Sequence, residues 1–142
     1  MALLITGCNE SKQAQCQRLI KVVNEGTSLI EKNKGSQVTL SLGLAKDLED
    51  VTKKMDRQNF QDLKIEDFKN QSVKHFETFS KNIKSAAVAL GSAKTAEVSL
   101  AGREKVRKAQ KDIETHLNQV SDTAKKSDTL ASDLNKYCNK AE

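Results

Sequence analysis

The chain contains no proline and no tryptophan, and both glycine (six residues) and aromatic residues (4%) are scarce among its 142 residues. Proline is the residue that most often interrupts a helix, so its absence permits long continuous helices. A β protein of this size would need more β-branched and aromatic residues and more turn-forming residues. The composition therefore predicts an all-α fold.

Long apolar runs and familiar catalytic motifs are also lacking. No stretch approaches the roughly 20 apolar residues of a transmembrane helix. The sequence has no glycine-rich phosphate loop, Cys-x-x-Cys pair, haem attachment or His-Glu-x-x-His. The Glu-x-x-His of di-iron bundles is missing as well, because Ser72 and Ile113 precede His75 and His116 at that spacing. We therefore expect no enzyme and no cofactor.

Charge is plentiful but mixed in sign. Charged residues make up 30% of the chain, and the net charge is only +5. Nucleic-acid-binding proteins usually gather basic residues into one stripe, whereas here basic and acidic residues alternate along most of the chain. This pattern is typical of solvated helix faces and predicts no nucleic-acid partner.

Apolar periodicity predicts four helices in residues 9–142, which form one domain. The first spans about 9–33 and ends near Gly35, and the second follows a cap at Ser36. The third starts near Ile65, and the fourth begins after a cap at Ser99. The clearest apolar seams are Phe68, Ser72, Phe76, Phe79 and Ile83 in the third helix, and Val106, Ala109, Ile113, Leu117, Val120 and Cys138 in the fourth.

Short connections make consecutive helices antiparallel neighbours, so we expect an up-down-up-down four-helix bundle with long third and fourth helices. At 1.5 Å per residue, these two would span roughly 50 Å, and the second roughly 30 Å. The last hairpin should therefore project beyond the first, or bend. The alternative is a long antiparallel hairpin with two shorter helices packed on one end.

Two of the three cysteines lie on the apolar seams at opposite ends of the chain. Cys16 is near the start of the first helix and Cys138 ends the fourth. These two helix ends are side by side in the expected bundle, which predicts a disulfide and hence an oxidising compartment. Two buried free thiols are the alternative, since cysteine often packs as a small apolar residue.

Cys8 follows an apolar run that ends in a small residue, Ile5-Thr6-Gly7-Cys8. This resembles the lipobox of bacterial lipoproteins, in which the cysteine sulfur receives diacylglycerol and the cysteine becomes the N-terminus. Residues 1–8 would then be the remnant of a lipoprotein signal, because a full secretory signal carries a longer apolar stretch. An accidental match is the alternative. Lipidation would also account for the cysteine that the predicted disulfide leaves over.

Taken with Cys16, Cys138 and the ending 134–138 (LNKYC), this motif makes the chain resemble small helical lipoproteins of bacteria, including cyanobacterial ones. The resemblance implies membrane anchoring outside the cytoplasm, in a periplasm, thylakoid lumen or cell envelope. It implies no active-site residue.

Basic residues crowd the first turns of the predicted fourth helix: Arg103, Lys105, Arg107, Lys108 and Lys111. Cations at a helix N-terminus oppose the helix dipole, at a typical cost of about 0.3–1 kcal/mol each, so their placement favours a binding role. In the bundle topology they lie at the end away from Cys8. We expect them to face a protein partner, an acidic polymer or an opposing surface; an ordinary solvated face is the alternative.

These features predict a membrane-anchored, extracytoplasmic interaction or accessory protein, with dimerisation left open. One alternative is a binder of a small apolar ligand, held between helices near Phe68, Phe76 and Phe79. Another is a cytoplasmic adaptor or nucleic-acid-associated protein with reduced thiols, for which Cys16 and Cys138 should be far apart. Asp112 and His116 share a helix face, but such pairs are more often surface contacts than metal sites.

Overall fold

A computed structural model of the chain describes residues 10–33 and 41–140, and these residues form helices joined by short connections. The all-α prediction is confirmed, as is the greater length of the third and fourth helices. The helices are α1 Lys12–Lys32, α2 Leu42–Asp56, α3 Leu63–Lys94 and α4 Leu100–Cys138.

A side-chain oxygen caps the start of each helix by accepting a backbone N–H of the first turn. The caps are Ser11, Ser41, Asp62 and Ser99. The cap at Ser99 was expected from the sequence. α2 begins behind Ser41, whereas the predicted cap Ser36 lies outside the described residues. α3 begins two residues earlier than predicted, because Asp62 accepts the N–H groups of Lys64 and Ile65.

α3 is the central element of the bundle. It packs most extensively against α4, and it also contacts α2 and α1. The residues most completely buried come from the first three helices and include Leu19, Leu48, Met55, Ile65, Phe76 and Ile83. α4 contributes few fully buried residues, so its long amphipathic face is covered mainly by α3.

The α3–α4 pair extends well beyond α1. α1 has 21 residues and α4 has 39, which correspond to about 31 Å and about 58 Å of helix. The start of α1 lies beside the end of α4, where Gln13 Nε2 donates to the Cys138 carbonyl oxygen at 2.8 Å. α1 therefore spans only about half the length of α4. We call residues 85–113, the part of α3 and α4 furthest from this end, the distal hairpin.

Candidate functional site

A disulfide joins the first helix to the last. Cys16 and Cys138 are bonded, their Cα atoms lie 5.9 Å apart, and both residues are buried. The predicted pairing is confirmed, and 122 residues of sequence separation are closed into one loop. The bonded pair contradicts the expectation that these cysteines are far apart, which the cytoplasmic alternative required.

Asp62 connects three helices at the disulfide end. Its Oδ2 accepts a hydrogen bond from the Tyr137 hydroxyl at 2.7 Å, and its backbone N–H donates to Gln15 Oε1 at 3.0 Å. Burial alone would raise the pKa of Asp62, but the bonds from Tyr137 and from the backbone of Ile65 and Lys64 outweigh it and lower the pKa. The same hydrogen bond raises the pKa of Tyr137. Asp62 is thus a charged junction between α1, α3 and α4.

Arg18 organises the connection between α2 and α3. Its guanidinium bonds Glu10 at 2.8 and 2.9 Å and the Asn59 carbonyl oxygen at 3.0 Å, and it lies over the Phe60 ring, 4.4 Å from the centroid. The hydrogen bond from Arg18 lowers the pKa of Glu10. Glu10 is the first described residue, so the described chain enters the bundle at the disulfide end. Cys8, the predicted lipidation site, lies outside the described residues.

Lys69 is a buried cation that was not among the candidate residues of the sequence analysis. Its side chain is 5% exposed, and its Nζ donates to Glu66 Oε1 at 2.6 Å and to the Gln58 carbonyl oxygen at 3.1 Å. It lies four residues after Ile65, on the edge of the apolar seam of α3, and this position is the feature of the sequence that indicates its burial. Because its ammonium group is paired with Glu66, Lys69 serves packing at this end of the bundle.

The predicted basic patch lies on the exposed surface of the distal hairpin. Arg107 pairs with Glu104 at 3.0 Å, and Lys108 pairs with Asp112 at 2.9 Å. The remaining three patch residues, Arg103, Lys105 and Lys111, have no carboxylate within 4.0 Å in the part of the chain that the structure describes. The patch therefore presents uncompensated positive charge at the end of the molecule away from the disulfide.

The turn between α3 and α4 exposes two apolar side chains that the sequence analysis did not single out. Val98 is fully exposed, and Leu100 is 79% exposed. They flank the helix cap Ser99 and lie outside the apolar seam of α4, which was the signal for their exposure. The turn is tight, because Ser99 N–H donates to the Glu97 carbonyl oxygen at 2.9 Å and the backbone of Glu97 lies against Gly102.

The candidate metal ligands are engaged elsewhere. Asp112 accepts from Lys108, and His116 Nδ1 lies 2.8 Å from Asn82 Oδ1, which is an acceptor, so this nitrogen is the donor. Within residues 10–33 and 41–140, no group of three or more His, Cys, Asp or Glu side chains could hold a metal ion. The buried Nδ1 of His75 has no hydrogen-bond partner among the residues that the structure describes; burial lowers the pKa of His75, as does Lys126.

The aromatic region proposed for a small ligand is occupied by its own side chains. Phe76 and Phe79 pack edge to face with centroids 5.5 Å apart, and Phe68 packs against Tyr137 at 6.0 Å. The Phe76 ring also lies against Gly26 of α1. All three phenylalanines are buried, so this packing argues against a ligand between them.

The described helices include none that is both long and apolar enough to cross a membrane. No family model, no curated protein and no solved structure matches this chain.

Proposed function

We propose that this chain is a lipid-anchored, extracytoplasmic helical bundle that acts by binding, with its anchor at the disulfide end and its distal hairpin as the binding end. The observation that carries the proposal is the buried Cys16–Cys138 disulfide, which joins the two ends of the domain. Structural disulfides persist in oxidising compartments and are rare in the cytosol of most organisms.

The position of Cys8 supports the anchor. It belongs to the lipobox-like Ile5-Thr6-Gly7-Cys8, and it precedes by two residues Glu10, which is held by Arg18 at the disulfide end. A lipid on Cys8 would therefore attach at that end. The distal hairpin would then extend away from the anchoring membrane, since α4 alone is about 58 Å long.

The polar groups of the interior support binding over catalysis. Lys69 is paired with Glu66, Asn82 bonds His116 and the Thr78 carbonyl oxygen, and Thr52 donates to the Leu48 carbonyl oxygen. Each of these groups satisfies a structural hydrogen bond. The distal hairpin, in contrast, has a net charge of +3 and exposes Arg103, Lys105 and Lys111, which have no carboxylate within 4.0 Å among the described residues, where a partner can reach them.

The test is the intact mass of the chain isolated from the membranes of its native host, without reductant. The proposal expects a polypeptide that begins at Cys8, carries acyl mass on that residue and lacks the two hydrogens of a Cys16–Cys138 bond. Reduction should add the two hydrogens and leave the acyl mass in place.

A Cys8→Ala variant is the matched control, because it removes the lipidated sulfur and leaves the disulfide intact. The variant should be released from the membrane fraction by a wash in about 1 M salt, which the acylated parent withstands, while keeping its fold by circular dichroism. Recovery of an unmodified Cys8 or of reduced Cys16 and Cys138 from the native host would contradict the proposal.

A further inference from the structure

The end of the distal hairpin combines exposed apolar side chains and unpaired cations. Val98 and Leu100 stand at its extremity, fully exposed and 79% exposed. Single exposed apolar residues are common on proteins. Two of them on either side of one cap, at the end of a projecting helical pair, form a small apolar apex that no described part of the chain covers.

The turn geometry holds this apex outward. Ser99 Oγ accepts the Gly102 N–H at 3.0 Å, and the Glu97 backbone packs directly on Gly102. The turn thus folds back on the first turn of α4 through its backbone, and the side chain of Val98 is left in solvent. Gly102 permits this close approach because it has no Cβ.

Positive charge is concentrated around the apex. The distal hairpin holds six Lys and Arg and three Asp and Glu, a net +3 of the chain's +5 in 29 of its 142 residues. Two of the three acidic residues, Glu104 and Asp112, are already paired. Of the six cations of the distal hairpin, Lys94, Arg103, Lys105 and Lys111 have no carboxylate within 4.0 Å among the residues that the structure describes.

The distal part of α3 is unusually poor in charge for a helix with so few neighbours. Residues 85–93 are nine consecutive residues without a charged side chain, and Val88 among them is 58% exposed. A helix segment that is apolar around much of its circumference is normally buried. Val88 is therefore a further exposed apolar side chain of the distal hairpin, separate from the apex.

From this arrangement we propose that the distal hairpin docks on an anionic bilayer surface, with Val98 and Leu100 entering the boundary between headgroups and acyl chains and the unpaired cations contacting lipid phosphates. Exposed apolar side chains on a segment rich in Lys and Arg are the combination that interfacial membrane binding uses. A soluble acidic polymer would need the cations but not the apex. The inference rests on the proposed assignment of the hairpin as the binding end, but it does not depend on lipidation of Cys8.

The experiment measures binding of the full, disulfide-bonded chain carrying Cys8→Ser to phosphatidylcholine vesicles with and without phosphatidylglycerol. The substitution excludes an acyl anchor, so failure here is distinguishable from failure of the lipidation proposal. We expect binding only to the anionic vesicles. Raising the salt from about 0.1 M to about 1 M, which shortens the screening length from about 10 Å to about 3 Å, should release the protein.

Neutralising the unpaired cations tests the electrostatic part. The triple variant R103Q/K105Q/K111Q should weaken vesicle binding by about 100-fold, because each cation near an anionic surface contributes about fivefold. The matched control is K125Q/K126Q/K136Q, which makes the same change in net charge at three exposed lysines on the disulfide half of α4. This control should bind within about twofold of the parent chain.

Insertion of the apex is tested separately by tryptophan fluorescence. The chain contains no tryptophan, so a single introduced tryptophan reports on its own surroundings. The emission of Val98→Trp should shift to the blue on anionic vesicles, whereas Leu63→Trp, at an exposed leucine that starts α3, should not shift. The double variant V98S/L100S should bind about tenfold more weakly, from the loss of two inserted apolar side chains. L42S/L63S, at two exposed leucines outside the distal hairpin, is its control.

Three outcomes would overturn the inference. One is failure of the Cys8→Ser chain to bind anionic vesicles at low salt. Another is undiminished vesicle binding by V98S/L100S together with equally tight binding of soluble polyglutamate, which would identify an acidic polymer as the partner. The third is a dimer in light scattering that V98S/L100S converts to a monomer, which would mean that a second copy covers the apex.

Discussion

The Tyr137 hydroxyl lies 2.7 Å from Asp62 Oδ2, while Asp62 Oδ1 accepts the N–H groups of Lys64 and Ile65. One carboxylate thus caps α3 and holds the end of α4. Lys12 of α1 lies over the Tyr137 ring, 4.1 Å from the centroid, which brings a third helix to the same place. This junction is close in space to the disulfide and adds a non-covalent link between the same elements.

The Asp62–Tyr137 pair predicts a specific pH dependence of stability. The folded pKa of Asp62 is lowered, because the hydrogen bonds from Tyr137 and the α3 backbone exceed the opposing effect of burial. Its contribution is therefore present above the unfolded pKa of about 3.9 and is lost as the pH falls through the folded value. The difference in unfolding free energy between the parent and D62N should shrink as urea unfolding is repeated from pH 6 towards pH 2.5.

Tyr137→Phe separates the hydrogen bond from the aromatic packing. The ring contact with Phe68 is kept, and the bond to Asp62 is lost, so we expect a loss of about 1 kcal/mol at neutral pH. Because the pKa of Tyr137 is raised by Asp62, this loss should be constant from about pH 6, where Asp62 is ionised, to about pH 10, and should disappear as the parent's tyrosine ionises at higher pH. Equal stability of parent and variant at neutral pH would contradict this assignment.

The disulfide should carry a large part of the stability of the domain. It closes a loop of about 120 residues, for which the chain-entropy relation gives about 5 kcal/mol, against a total of about 5–15 kcal/mol for ordinary domains. Chemical denaturation with and without reductant should therefore differ by several kcal/mol. The C16S/C138S variant should reproduce the reduced protein. A difference below about 1 kcal/mol would mean that the unfolded chain keeps these ends together without the bond.

Glycine at position 26 is required by an aromatic ring. A Cβ there would lie 2.6 Å from Phe76 Cζ, and Phe76 is only 1% exposed, so the ring has little room to move. Alanine gains about 1 kcal/mol in helix propensity but overpacks the core at a cost of about 1–3 kcal/mol. We expect Gly26→Ala to destabilise the protein by up to about 2 kcal/mol in urea unfolding.

Gly91 of α3 is the matched control for Gly26. A Cβ at this position meets nothing within 4 Å, so only the propensity term remains. Gly91→Ala should therefore stabilise the protein by up to about 1 kcal/mol. If both variants changed stability in the same direction, close approach of Phe76 would not be the reason for glycine at position 26.

Periodicity and cap chemistry made the larger features predictable. The seams of α3 and α4 follow the helical spacing closely, and Ser99 is the hydroxyl that precedes the fourth segment, so the helices and the Cys16–Cys138 pairing followed from local rules. The basic patch was visible for the same reason, because its members are close in sequence. The predicted start of α3 is two residues late, because in a sequence an aspartate that caps a helix looks the same as an aspartate in an ordinary loop.

Apart from the disulfide, contacts between residues distant in sequence were not predictable in this way. The hydrogen bond between Asp62 and Tyr137 joins residues 75 apart in sequence. The Asn82–His116 contact depends on how far α3 is shifted along α4, and apolar periodicity does not distinguish between alignments that differ by one helical turn. The placement of Val98 and Leu100 together at the end of the hairpin likewise depends on how the turn folds over Gly102. Each of these features is set by side-chain packing in three dimensions, for which a single sequence carries no direct signal.

Gly102 links the shape of the turn to the proposed membrane contact. The Glu97 carbonyl carbon lies 2.7 Å from the position of a Cβ at residue 102, and backbone cannot yield as a flexible side chain does. Gly102→Ala should therefore displace the turn while leaving the four-helix half of the molecule intact, because the buried core around Phe76 lies far from it. We expect faster amide exchange confined to residues 94–103, with exchange in Ile65–Ile83 unchanged.

In the Cys8→Ser chain the same substitution should weaken binding to anionic vesicles, since Val98 and Leu100 would no longer be presented together. Unchanged exchange at the turn would show that Glu97 does not depend on Gly102 for its position.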